Sequence, residues 1–213
     1  MPDRIDCDVM TGMLSAVVMR IRDARDNLAA LDAATGDGDH GMAMCKVADA
    51  IAGCIEAKGT RSLQSLLSEI SWAVMGTDAG STGPLYGSWF LGLSEYCADC
   101  ESLDTAGLAG MFERGVFNLR NFTKAQIGDK TMMDALLPAV EAVREIADEQ
   151  RSLGEALAAA ALAAETGAQQ TENMQAAFGR ARNIGQRSIG HVDPGAASMS
   201  IVFAGLKEGF TNG

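Results

Sequence analysis

Residues Met10 to Gly41 read MTGMLSAVVMRIRDARDNLAALDAATGDGDHG. Within them Met10, Met13, Leu14, Val17, Val18, Ile21, Leu28 and Leu31 fall at steps that keep one face of an α-helix apolar. The spacing recurs at Met44, Val47, Ile51, Cys54 and Ile55, at Leu63, Leu66, Leu67, Ile70 and Val74, and at Leu85, Trp89, Leu93 and Tyr96. It continues through Leu108, Met111, Phe112, Val116 and Leu119, then Met133, Leu136, Leu137, Val140, Val143 and Ile146. An Ala-rich segment from Ser152 to Thr166 opens with a capping box, in which the Ser152 hydroxyl and the Glu155 carboxylate serve each other's backbone amides. A last apolar segment runs from about Ala196 to Leu206.

The pattern predicts seven or eight helices and no strand pair, an all-α fold. Composition agrees: hydrophobic residues make up 47% of the 213 residues and aromatics only 5%, so Ala, Leu, Met and Val supply the apolar mass. Such residues suit helices better than strands. The methionine-rich faces read as core, because a flexible thioether fills irregular gaps. No linker or shift in composition divides the chain, and residues 1–213 are expected to form one domain.

The formal net charge of −11, with no basic stripe, argues against nucleic-acid binding. The longest continuous apolar run, Ala156 to Ala164, is far short of the roughly 20 residues of a membrane helix, and the polar start MPDRIDCDVM is no secretory signal. The five cysteines, an odd number, point to free thiols and a reducing compartment, so a soluble cytoplasmic protein is expected. Cys97 and Cys100 form a lone C-x-x-C without a second ligand pair, which reads as a helix end with ordinary thiols.

The turn after the first apolar stretch holds Asp32, Asp37 and Asp39, the last two separated only by Gly38. Carboxylates this close repel one another and call for a cation, and hard oxygen ligands suit magnesium, calcium or manganese. An EF-hand counted from Asp37 would place Gly41 at its fifth position and Ala48 at its twelfth, where ligands are needed. Magnesium, which takes a few carboxylates together with substrate phosphates, fits better. Asp39 as the N-cap of the next helix would account for one aspartate and leave the others unexplained.

A second connection, Gly76 to Gly87, is built of small residues before an apolar helix. Pro84 suits the first helical position, with Thr82 or Gly83 near the cap. The free amides of a helix start attract phosphate, and Ser81 and Thr82 add hydroxyl donors. The loop lacks the P-loop lysine and follows no strand, so any phosphate charge must be met by metal. On these residues alone, close helix packing through small side chains is an equal reading. Two further connections carry polar residues. Gly128 to Asp134 offers a turn, a charge pair and Thr131 as an N-cap. Gln169 to Gly195 carries Arg180, Arg182, Arg187 and His191, and arginine pairs well with phosphate.

Four segments, GDGDHG (36–41), STGPLYG (81–87), GDKTMMDAL (128–136) and GRARNIGQRSIGHVDPGA (179–196), resemble in their order the nucleotide-binding L subunits (DhaL) of dihydroxyacetone kinases. The resemblance spans nearly the whole chain. It implies a barrel of about eight antiparallel helices whose loops at one end hold ADP or ATP with two magnesium ions. Asp32, Asp37 and Asp39 match the metal-binding aspartates; His40 and Gly41 match nucleotide contacts, and Ser81 and Thr82 the phosphate-contacting pair. Met132 matches a residue near the base, Thr123 falls where another contact is expected, and Asp193, Pro194 and Gly195 match a closing loop. Arg180 matches a nucleotide-contacting arginine and is the candidate for catalytic charge stabilisation. His40 and Pro84 favour this branch over the related fatty-acid kinase domain. The resemblance further implies that a separate K subunit holds the ketose, and that a phosphotransferase-system M subunit rephosphorylates bound ADP in the stand-alone form. The same motifs would also serve an ADP-loaded regulatory module, or an ATP-dependent kinase of a four-carbon ketose.

Overall fold

The structure, a computed structural model, describes residues 2–57 and 61–213. Among them are nine α-helices: α1 (Cys7–Asp23), α2 (Arg25–Ala33), α3 (His40–Glu56), α4 (Leu63–Met75), α5 (Thr82–Tyr96), α6 (Thr105–Leu119), α7 (Met133–Asp148), α8 (Leu153–Gln170) and α9 (Pro194–Asn212). Short 3-10 turns span Cys97–Asp99, Thr171–Asn173 and Arg180–Ser188. The described residues hold no strand, only an isolated antiparallel bridge between Ile5 and Leu103.

Local chemistry sets the helix starts. The Asp6 side chain accepts from the Asp8 and Val9 amides and opens α1. Ser62 with Ser65, and Ser152 with Glu155, form capping boxes at α4 and α8. The predicted apolar faces are buried from Met10 to Ile146, apart from Leu31, Cys54, Ile55, Leu85 and Leu137, which are half-buried, and Tyr96, which is exposed at the end of α5.

Each helix packs on its neighbours in the chain, and α9 returns to α1, so the helices close into a ring. α1 and α2 meet at Ala24 and together form one bent stave, which reconciles nine helices with the expected barrel of about eight. Inside the ring Trp89, Phe90, Phe112 and Phe203 pack with centroids 5.3 to 6.3 Å apart. Cys97 is buried where α5 ends, and burial pushes its thiol up to about 12, as befits an unreactive core cysteine.

The ring is tight because small residues lie where helices cross. A Cβ on Gly209 would come within 2.4 Å of the Met13 Cα, drawing α9 onto α1. On α8, a Cβ at Gly167 would lie 1.9 Å from the Asp134 carbonyl oxygen of α7. Pro138, four residues after Asp134, has no N–H to donate to that carbonyl, so the same oxygen is left open to the neighbouring helix. No described helix is long and apolar enough to cross a membrane.

Gly167→Ala is therefore expected to destabilise the protein by about 2 kcal/mol or more, because backbone atoms cannot yield to the methyl group. Gly53→Ala, in α3 with no atom near its would-be Cβ, should stabilise by up to about 1 kcal/mol through helix propensity. Urea unfolding of both variants checks this, and equal effects would contradict it.

Candidate functional site

Four connections lie at the same end of the ring: α2–α3, α4–α5, α6–α7 and α8–α9. Side chains tie them together. Lys46 on α3 pairs with Asp78 of the α4–α5 connection at 3.6 Å. His40 Nε2 at the start of α3 lies 3.0 Å from Ser198 Oγ on α9, and the Tyr86 hydroxyl of α5 reaches the same Ser198 oxygen at 3.1 Å. Burial holds the His40 imidazole below the usual histidine range, against the opposing pull of the Asp32 carboxylate.

The α2–α3 turn gathers Asp32, Asp37 and Asp39, with one oxygen of each within 4.8 Å of the others. The local backbone explains how. The Asp32 carbonyl accepts from Thr35 and Gly36 at 3.0 and 2.6 Å, closing the end of α2. Gly36 has no room for a side chain, since a Cβ there would lie 2.5 Å from Asp32 Oδ1. Gly38 has φ of +80°, a left-handed conformation that glycine adopts freely.

The aspartates then divide their tasks. Asp32 is buried and its Oδ2 accepts from the His40 amide at 3.2 Å. Asp39 stands at the N-cap position of α3, yet its side chain makes no capping hydrogen bond. Asp37 and Asp39 are exposed and both meet the Arg180 guanidinium, Asp39 at 3.3 Å. Arg180 comes from the 3-10 turn Arg180–Ser188, a compact structure within what the sequence presents as a long polar connection. Oxygen donors of this kind, gathered around one point with two of them free of capping duty, fit a divalent cation such as magnesium.

In the α4–α5 connection, α5 begins at Thr82 with Ser81 at the cap position, so Pro84 is the third helical residue rather than the first. Ser81 is exposed and its side chain makes no capping bond, while Thr82 is buried. The Thr82 amide turns back to the Ala79 carbonyl at 3.1 Å, and the other amides of a first helical turn have no partner within their own helix.

In the α6–α7 connection, the helix begins at Met133, and Met132, not Thr131, holds the cap position. Thr131 still contributes, accepting from the Met133 amide at 3.2 Å, and Asp134 accepts from the Thr131 and Gly128 amides at 2.7 and 2.6 Å. The Thr123 hydroxyl accepts from the Ala125 amide at 3.1 Å and so serves its own turn. Met132 approaches the α9 entry, its amide nitrogen 3.4 Å from where a Gly195 Cβ would stand. Asp193 caps α9 through the Ala196 amide at 2.7 Å, with Pro194 in the first turn. Burial pushes the Asp193 carboxyl up to about 7, although the Ala196 amide and the Lys130 charge pull it down.

Lys130 is a residue that sequence reasoning passed over. Read as half of a charge pair in a turn, it points inward and is 1% exposed. Nothing in the local sequence signals this, because its burial comes from segments more than forty residues away. The structure thus brings Asp32, Asp37, Asp39, His40 and Arg180 together, and Met132 with Gly195 and Asp193. Ser81, Thr82 and Thr123 share their end of the ring, and Thr123 hydrogen-bonds within its own turn.

Comparison with known proteins gives this arrangement a setting. Residues 34–208 match the DAK2 domain. The chain is 36% identical over 172 residues to the PEP-dependent dihydroxyacetone kinase, ADP-binding subunit DhaL, of Escherichia coli, covering 81% of this chain and 82% of that protein. It is 34% identical over 184 residues to the ADP-binding subunit DhaL of PEP-dependent dihydroxyacetone kinase 1 of Listeria innocua, covering 86% and 87%. Among solved structures, the dihydroxyacetone kinase from C. freundii in complex with AMP-PNP and Mg2+ superposes with a TM-score of 0.73 at 25% identity, over 98% of this chain and 35% of that longer one. The chain belongs to the DAK2 domain family.

Proposed function

We propose that this chain is the nucleotide-binding subunit of a dihydroxyacetone-type kinase, acting as one domain that presents ADP or ATP to a ketose held by a separate K subunit. The observation that carries the reading is the idleness of Asp37 and Asp39. Both are gathered beside Asp32, neither caps a helix, and Arg180 is their shared partner. Side chains that cap no helix, placed together against electrostatic cost, are suited to a ligand. Relatives named as ADP-binding subunits and a solved relative holding AMP-PNP and Mg2+ support it.

In this reading Asp32, Asp37 and Asp39 would hold two magnesium ions, with the Asp32 carboxylate oriented by the His40 amide. The metal, when bound, would neutralise phosphate charge that the α4–α5 connection, which carries no lysine, does not meet. Ser81, Thr82 and the start of α5 orient the phosphates by hydroxyl and amide donors. Arg180, released from Asp37 and Asp39, turns to the phosphates and stabilises the charge that spreads over the transferring group. Gly41 lets α3 start close to α2, since a Cβ there would come within 2.1 Å of the Arg25 carbonyl. Met132, Thr123 and the Asp193–Gly195 entry of α9 border the nucleoside. No residue is assigned as a general base in this reading; positioning and charge carry the chemistry. In this reading a phosphotransferase-system M subunit restores ATP from the bound ADP, in line with a Lactococcus lactis relative named PTS-dependent.

A coupled assay with a K subunit, dihydroxyacetone and Mg2+·ATP tests the reading. Turnover that needs both proteins supports it, and nucleotide binding without turnover would leave a nucleotide-loaded module with no catalytic part. Asp37→Asn should weaken Mg2+-dependent ADP binding by at least about tenfold, the scale of one charge-assisted contact, with little change in thermal midpoint because Asp37 caps nothing. Unchanged affinity would remove the aspartates from the site.

Asp193 yields a pH test. Its folded pKa, about 7, lies above the ordinary carboxylate value, so between the two the folded state holds more protons than the unfolded. The stability of the wild type relative to Asp193→Asn should therefore fall as pH rises from the ordinary carboxylate range to about 7, and level off above it. Urea midpoints across that range that stay parallel, or diverge the other way, would contradict it.

A further inference from the structure

Lys130 takes no part in the chemistry proposed above, yet it is bound into the structure with unusual care. Its backbone is left-handed, with φ of 60°, a conformation that a non-glycine residue keeps only when its surroundings hold it there. Its ammonium is buried and donates to the Thr171 carbonyl at 2.5 Å and to the His191 carbonyl.

Those acceptors belong to different stretches of chain. Thr171 lies just past the end of α8, and its hydroxyl accepts from the Asp193 amide at 2.8 Å. His191 is two residues before the cap of α9. The loop of Lys130 is joined to the same region by its own backbone, since the Asp129 carbonyl accepts from the Ala177 amide at 3.1 Å. The Glu172 carbonyl accepts from the Gly190 amide at 2.7 Å and closes the excursion on itself. One ammonium thus spans the α6–α7 connection, the exit of α8 and the entry of α9.

We infer that Lys130 is a positioning residue for the nucleotide: its buried charge ties the loop of Met132 to the segments bearing Arg180 and Asp193–Gly195, and so sets how tightly Mg2+·ADP is held. The inference rests on the nucleotide-binding reading. It follows from where the ties run: Met132 sits on the α6–α7 connection, Arg180 lies on the α8–α9 connection that leads into Gly195, and Lys130 joins the first to both flanks of the second while Thr171 holds Asp193.

The charge itself matters. Carbonyl acceptors hold an ammonium more strongly than a neutral amine. The ionisable groups facing it are Asp193, Glu172 and Asp134, which favour the charged form, while burial draws its pKa below the ordinary lysine range. The folded state therefore loses this proton before the unfolded state does, and Lys130's own contribution to stability rises with pH across that interval. A lysine with a purely structural task would leave ADP affinity level there; a positioning ammonium makes affinity fall as stability holds.

The test is calorimetric titration of the full chain with ADP and Mg2+, for the wild type, Lys130→Met and Lys130→Arg, at neutral pH and at steps up to the ordinary lysine range. Lys130→Met should bind about tenfold more weakly, the loss expected of a charge-assisted hydrogen bond. The wild type should lose affinity as pH rises, and Lys130→Arg, whose guanidinium stays charged, should not. Lys130→Met within about twofold of the wild type, well inside one such hydrogen bond, would overturn the inference. So would identical pH profiles for the wild type and Lys130→Arg, a comparison that decides the matter alone if Lys130→Met does not fold. A wild type that binds no Mg2+·ADP at all would instead sink the nucleotide reading and this inference with it, a failure recognisable because it needs no variant.

Discussion

Three carboxylates crowded into one turn repel each other, and the end of the barrel around them is arranged to make that tolerable. Asp32 is satisfied by the His40 amide, and Asp37 and Asp39 by a single guanidinium drawn from a connection more than 140 residues away in the chain. Glycine at positions 36 and 38 lets the turn close without steric cost. A fold selected only for stability would spread these charges apart. Keeping them together makes sense if a cation and its anionic cargo complete the arrangement.

The scaffold serves the same end. Helices joined by small residues approach closely and close into a ring, as where Gly209 meets Met13 and Gly167 meets the Asp134 carbonyl. That ring is held by packing between the helices themselves. The connections are therefore free to carry polar residues, and hydrogen bonds between them, from His40 to Ser198 and from Lys130 to Thr171, fix their relative positions. The proposed site lies where the ring's staves end, where chain from several helices converges without disturbing the core.

Much of this was legible in the sequence. Helical periodicity identified the buried faces, and the Ser152 and Glu155 capping box forms as read. The aspartates were visible because their spacing violates what an ordinary turn needs. Other features depend on partners distant in sequence and leave no local trace. The break at Ala24 divides a continuous apolar stripe into two helices. Pro84 lies two residues deeper in α5 than proline preference suggests, because the helix starts at Thr82. The 3-10 turn Arg180–Ser188 lacks apolar periodicity and reads as loop, though it is this turn that delivers Arg180. The inward course of Lys130 is set by the carbonyls of Thr171 and His191.

The central claim is that the aspartate cluster binds nucleotide phosphates through magnesium. Native mass spectrometry of the purified protein, with and without EDTA, tests it most directly. A mass excess of one nucleotide with its magnesium ions is expected, present on isolation or gained on adding ADP or ATP with Mg2+, and lost on chelation. A protein that stays at its apo mass under every condition, or that holds nucleotide equally well in EDTA, would contradict it.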